Sequence, residues 1–122
     1  MSEFKIKATG VARLKEAFGY SASGFQHCYK NEQAFKMELY ALGLLLIPAY
    51  AIADSFTEFA ILISSLLFVL LIEVINSAIE AAVDRMGNEY NEFSKVAKDC
   101  GSLAVMISII IALMVWAAVL IK

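Results

Sequence analysis

From Gly101 to Ile121 the chain carries no charged side chain. A helix needs about 20 consecutive apolar residues to cross a bilayer, so this run has one dominant solution, a transmembrane helix. Two further apolar stretches precede it, Leu39 to Ala53 and Phe59 to Val83. The first is short and contains Pro48; it qualifies as a span if Phe35 and Tyr40 mark its interface. The expected spans are therefore about 36–53, 59–83 and 98–121. The composition agrees: 61% of the 122 residues are hydrophobic and 18% charged, against about 45–50% and 25% in soluble domains. So short a chain has too little volume to bury that much apolar surface in water. The expectation is a single all-α membrane domain over residues 1–122.

Several function classes drop out. A net charge of −2 offers no basic field to hold nucleic acid, so no nucleic-acid partner is expected. Cys28 and Cys100 lie far apart and form neither a C-x-x-C nor a zinc pattern; both read as free thiols. The glycine spacing from Gly19 to Gly24 is followed by Phe25 and Gln26 where a phosphate-binding loop would have Lys and Ser or Thr. Any nucleotide is handled without such a loop.

Charge distribution sets the orientation. Lys5, Lys7, Arg13, Lys15, Lys30 and Lys36 precede the first span, and Arg85, Lys95 and Lys98 lie between the second and third, whereas the turn from Asp54 to Glu58 has no basic residue. The positive-inside rule assigns the N-terminal segment and the second connection to the cytoplasm. Lys122 at the outer end points the other way. Ahead of the spans, Val11, Leu14, Phe18, Phe25 and Tyr29 share one stripe of a helix at 100° per residue, with Arg13, Tyr20 and His27 opposite. That pattern predicts an amphipathic helix over about 8–30 on the membrane surface.

The chemistry sits in the second span. Glu73, Asn76, Ser77, Glu80 and Asp84 follow one another at i, i+3, i+4, i+7 and i+11, one face of an otherwise apolar helix. An ionisable residue near the centre of a membrane helix costs about 2.5–3.5 kcal/mol on insertion scales, so the row requires protons, cations, a basic partner or a wet cleft. Glu73 and Glu80 are separated by about 10 Å of helix axis and are ill placed to share one ion. A shallow acid for a metal and a deeper one for a proton suit that spacing. Glu32, just before the first span, could complete a metal site with Glu80, and Lys98 beside Asp99 offers a cation suited to phosphate.

The run E-V-I-N-S-A-I-E-A-A-V-D-R-M-G-N-E-Y from Glu73 to Tyr90, with N-E-Q-A-F at Asn31 to Phe35 and A-K-D at Ala97 to Asp99, resembles the bacterial integral-membrane diacylglycerol kinase family over nearly the whole chain. The resemblance implies a homotrimeric helical bundle in the bacterial inner membrane, with its N-terminus and active site cytoplasmic. It implies transfer of the γ-phosphoryl group of Mg-ATP to the primary hydroxyl of diacylglycerol. Carried onto this sequence, it implies Glu73 as the base, Glu32 and Glu80 as Mg²⁺ ligands that also contact ATP, and Arg13, Tyr20, Glu89, Tyr90, Asn91, Lys98 and Asp99 as further ATP contacts. Arg13, Glu73 and Ser102 would meet the lipid, and Asn76 would support the network. Asn91 and Ala22 stand where the family pattern has His and Trp. Competing readings are an undecaprenol kinase of the same family, a small proton-coupled transporter using Glu73, and a structural membrane subunit. The transporter leaves Glu32, Lys98 and Asp99 idle, and a structural subunit does not account for the acid row.

Overall fold

A computed structural model describes residues 9–122. The start of the surface helix at residue 8, and Lys5 and Lys7, lie outside the described residues. Four helices follow in order: α1 (Gly10–Asn31), α2 (Gln33–Ile52), α3 (Phe56–Asp84) and α4 (Glu92–Leu120). No strand occurs among the described residues. The last three are each long and apolar enough to cross a membrane.

The spans begin earlier than hydropathy alone indicates because polar caps extend them. Ser55 accepts a hydrogen bond from the Glu58 amide at the head of α3, and Asn91 accepts from the amides of Phe93 and Ser94 at the head of α4. Each side chain satisfies amides that the first turn leaves without partners. The result is two helices of 29 residues. Between α1 and α2 the chain turns on one residue: Glu32 leaves helical geometry at φ −112°, ψ 104°. Pro48 lies within α2, one turn before its end, and has no N–H to donate to the Leu44 carbonyl.

α3 is the central element. It packs most extensively along α4 and less so on α2, which leaves a groove between α2 and α4 floored by α3. Its buried positions, Leu62, Ser65, Val69, Leu70, Glu73, Asn76 and Ser77, form one face. At the turn end, Ala49, Leu62 and Val119 pack together from three helices. At the α1 end the core is Cys28, Phe35 and Leu70. Phe35 therefore corrects one expectation: it is 4% exposed and part of the core, because α1 folds back over it, and only Tyr40 is left at the surface.

Candidate active site at the α1 end of the bundle

Three helices bring acids together where α1 meets α2. Glu73 and Asn76 are buried on α3, one turn apart, and the Asn76 Nδ2 donates to Glu73 Oε2 at 3.5 Å. The other side of Asn76 rests on α4. A Cβ on Gly101 would come 2.1 Å from Asn76 Oδ1, so with a side chain here either the Asn76 amide or α4 would have to shift. Asn76 Oδ1 is buried there without a hydrogen-bond donor. From α2, the carboxyl of Glu38 faces that of Glu73 at hydrogen-bonding range, and Glu38 Oε1 is buried without a partner. Two carboxyls side by side repel, so the pair is left for a bound group to complete.

Nearer the interface, Glu80 lies within the field of Glu32 first, then Glu73, Lys98 and Asp84. Cys28 of α1 packs beneath, its thiol at hydrogen-bonding range of Ser77. Burial pushes the Cys28 thiol above its ordinary value, and the negative charges of Glu32 and Glu73 add to the effect. Lys98 bonds Asp84 at 2.8 Å across α3 and α4, and Lys95 bonds Asp99 at 2.6 Å. No ion pair reaches Glu32, Glu38, Glu73 or Glu80 among the described residues.

The fold thus gathers Glu32, Glu73, Asn76 and Glu80, with Lys98 one contact away. Glu89, Tyr90 and Asn91 line a separate hollow in the α3 to α4 connection, where Asn91 is engaged as a helix cap. Ser102 is exposed on α4. Arg13 and Tyr20 are not brought to the acids within one chain: Cys28 is the buried residue of α1, and Arg13 precedes it by about 23 Å of helix axis. Two residues of the site are missed by sequence patterning. Glu38 lies just past the charge run that ends at Lys36, and its signal is a lone acid at the start of an apolar span. Gly101 carries no signal, since its role is a distance between helices.

Metal-ligating side chains do not form a group of three or more among the described residues. Mg²⁺ is commonly held by one or two carboxylates together with substrate phosphates and water, so the open Glu32 and Glu80 pair fits such an ion.

From Glu38 the groove between α2 and α4 runs past Leu42, Leu45, Val69 and Ala112 to Trp116, with a volume of about 320 Å³. A carboxyl at the head of an apolar groove, in a chain with three helices able to cross a membrane, defines a membrane protein with a site suited to an amphiphile. The profile of the family described as prokaryotic diacylglycerol kinase matches residues 19–120. A protein named Diacylglycerol kinase from Escherichia coli (strain K12) is 45% identical over 113 residues, 92% of each chain. Those of the same name from Pseudomonas aeruginosa and Haemophilus influenzae are 41% and 38% identical, over 92% and 93% of this chain and 91% and 97% of their own. The chain belongs to the prokaryotic diacylglycerol kinase family.

Proposed function

We infer that this chain transfers the γ-phosphoryl group of ATP to the primary hydroxyl of diacylglycerol, giving phosphatidic acid and ADP. The observation that carries the reading is the groove itself, apolar along its length and ending at Glu38 beside the buried Glu73. A substrate with a hydroxyl head on hydrocarbon chains matches that polarity, and the relatives are named for such a lipid.

Phosphoryl transfer asks for positioning and charge neutralisation more than covalent help. Glu73 takes the proton of the attacking hydroxyl as its oxygen bonds to the γ-phosphorus and the bond to the ADP oxygen breaks. Asn76 holds the Glu73 carboxyl from below, and Glu38 crowds it from α2. When bound, Mg²⁺ on Glu32 and Glu80 supplies neutralisation of phosphate charge. Lys98 adds a second positive charge once a phosphate competes with Asp84 for it. Tyr20, Glu89, Tyr90, Asn91 and Asp99 are assigned to the nucleotide, and Ser102 to the lipid side.

The working unit is a homotrimer in the bacterial inner membrane, with the site on the cytoplasmic side where ATP is available. In keeping with this, Arg13 lies too far along α1 to reach its own acids and would have to act on those of a neighbouring copy. The orientation is supported by Lys122, whose charge is taken up by Asp54 and Glu58 and so no longer opposes the basic α1 end. The test is to incubate the purified protein in lipid with γ-labelled ATP, Mg²⁺ and either diacylglycerol or undecaprenol. Label in phosphatidic acid is the expected result; label only in the polyprenyl phosphate, or in neither lipid, overturns the assignment.

A further inference from the structure

α3 ends on an acid. Asp84 is its last residue, where the helix dipole already carries negative charge, so a carboxylate at this position opposes the stability of its own helix. The turn that follows does not use it either. Backbone bonds close that turn, from the Arg85 amide to the Ala81 carbonyl at 3.2 Å, from Met86 to Val83 at 2.9 Å and from Gly87 to the Asp84 carbonyl at 3.2 Å. Gly87 supplies the positive φ of 114° that the reversal requires. Among the described residues, the partner of the Asp84 carboxylate is Lys98, 2.8 Å away in the second turn of α4.

This pair is poorly suited to holding the two helices together. The Asp84 side chain is 65% exposed and that of Lys98 46%, and an exposed ion pair contributes little to stability. α3 and α4 already pack along their length, with Gly101 against Asn76. What the pair does is occupy a cation beside the acids. Glu80 lies one turn before Asp84 on α3 and within the field of Lys98. One turn is about 5.4 Å of helix axis, which the flexible four-carbon stem of lysine can cover. A phosphate seated beside Glu80 is therefore within reach of the same ammonium, whose three N–H groups donate and accept nothing. Carboxylate and phosphate compete for one lysine.

We propose, building on the kinase reading, that Asp84 is a positioning residue for nucleotide exchange: it holds Lys98 while the site is empty, yields it to the phosphates of ATP, and takes it back as ADP leaves. The exchange is one of ion partners, with no covalent change. Asp84 thereby weakens the binding of nucleotide and speeds the departure of product. A purely structural Asp84 has the opposite consequence, since its removal would loosen the join of α3 and α4 and weaken nucleotide binding. The sign of the change in affinity separates the two roles.

The experiment is calorimetric titration of ADP into the full-length protein in detergent micelles, with Mg²⁺ and without lipid substrate. Asp84→Asn should bind ADP about twofold to fivefold more tightly, the range for an exposed ion pair that no longer competes. ADP should inhibit its turnover at a correspondingly lower concentration. Lys98→Gln should bind ADP about tenfold or more weakly, as expected for a lost charged hydrogen bond, and adding Asp84→Asn to that variant should give no gain. The asparagine removes a charge that its helix end disfavours, so the variant is expected to fold. Circular dichroism checks this, and Asp84→Ser repeats the test with a second uncharged side chain. Weaker or unchanged ADP binding in the folded variants would overturn the proposal and leave the kinase reading standing. An equal gain with and without Lys98 would also overturn it, reducing the effect to the loss of one negative charge near the phosphates. Absence of ADP binding by the wild type would remove the proposal and the kinase reading together.

Discussion

The two ends of the helical bundle carry acids of opposite fate. At the turn end, Asp54 and Glu58 both bind Lys122, whose ammonium also donates to the Ile52 carbonyl at 2.9 Å, and the Asp54 amide donates to Glu58 at 2.9 Å. Below them Ala49, Leu62 and Val119 make an ordinary apolar core. At the α1 end, Glu38 faces Glu73 and Glu32 lies in the field of Glu80, no ion pair among the described residues reaches any of the four, and two buried oxygens, on Glu38 and Asn76, have no donor. Acids that only hold a fold together are satisfied within it. Acids left unsatisfied in a low-dielectric site lose stability, and the loss is tolerable where a substrate, a proton or a metal ion completes the arrangement.

Glu73→Gln breaks the contrast hardest. The amide keeps the size and can still bond Asn76, and it relieves the repulsion from Glu38, yet it cannot accept the hydroxyl proton. Turnover should fall by roughly 10²–10⁴ while ATP affinity persists. Both quantities are measured on the same purified variant; loss of affinity together with turnover would make Glu73 an organiser of the site instead of its base.

Much of the α1 end is legible in the amino-acid sequence. The spacing of Glu73, Asn76, Ser77 and Glu80 fixes them on one helix face, and the burial of the first three follows that face. Caps at Ser55 and Asn91 and the reversal at Glu32 adjust boundaries by a few residues, since hydropathy measures lipid contact and caps measure hydrogen bonding. What cannot be read from sequence is anything that depends on crossing distances. Glu38 becomes part of the site only because α2 lies against α3 at that height. Lys98 meets Asp84 only because the end of α3 lies beside the first turns of α4. Gly101 matters through one side chain on another helix.

Gly101→Ala tests that last point. Its new Cβ would fall on Asn76 Oδ1, so either the amide rotates away from Glu73 or α4 moves out. Overpacking of this sort costs about 1–3 kcal/mol. Unfolding of the variant in mixed micelles should show that loss, with turnover reduced and ATP affinity less affected. Retained stability and retained turnover together would mean that the two helices separate without consequence.

Glu80→Gln sharpens the division within the α1 end. Glu80 lies in the field of Glu32, and removing its charge should raise the Mg²⁺ concentration needed for half-maximal activity several-fold, while the assembly stays intact by gel filtration. Superimposable metal titrations would remove Glu80 from the metal site.

Lys122→Gln, at the opposite end, should do least. The change abolishes the ion pairs to Asp54 and Glu58 but leaves an amide able to donate to the Ile52 carbonyl. These charges are exposed and screened by salt, so the expected effect is a slight lowering of the melting midpoint that shrinks further at high ionic strength. Its pH dependence has a definite sign. The bonds to Glu58 and then Asp54 raise the Lys122 ammonium above its ordinary value of 10.5. A raised pKa means that the stabilisation is fully present below the unfolded value and is lost as pH climbs through the folded one. Wild type should therefore keep its small advantage through neutral pH and lose it only in strongly alkaline buffer. Turnover should match wild type throughout, because nothing at the α1 end touches this clasp. A large fall in turnover would show that closing the turn end sets the spacing of the acids at the other, and the two ends would then have to be treated as one mechanical unit.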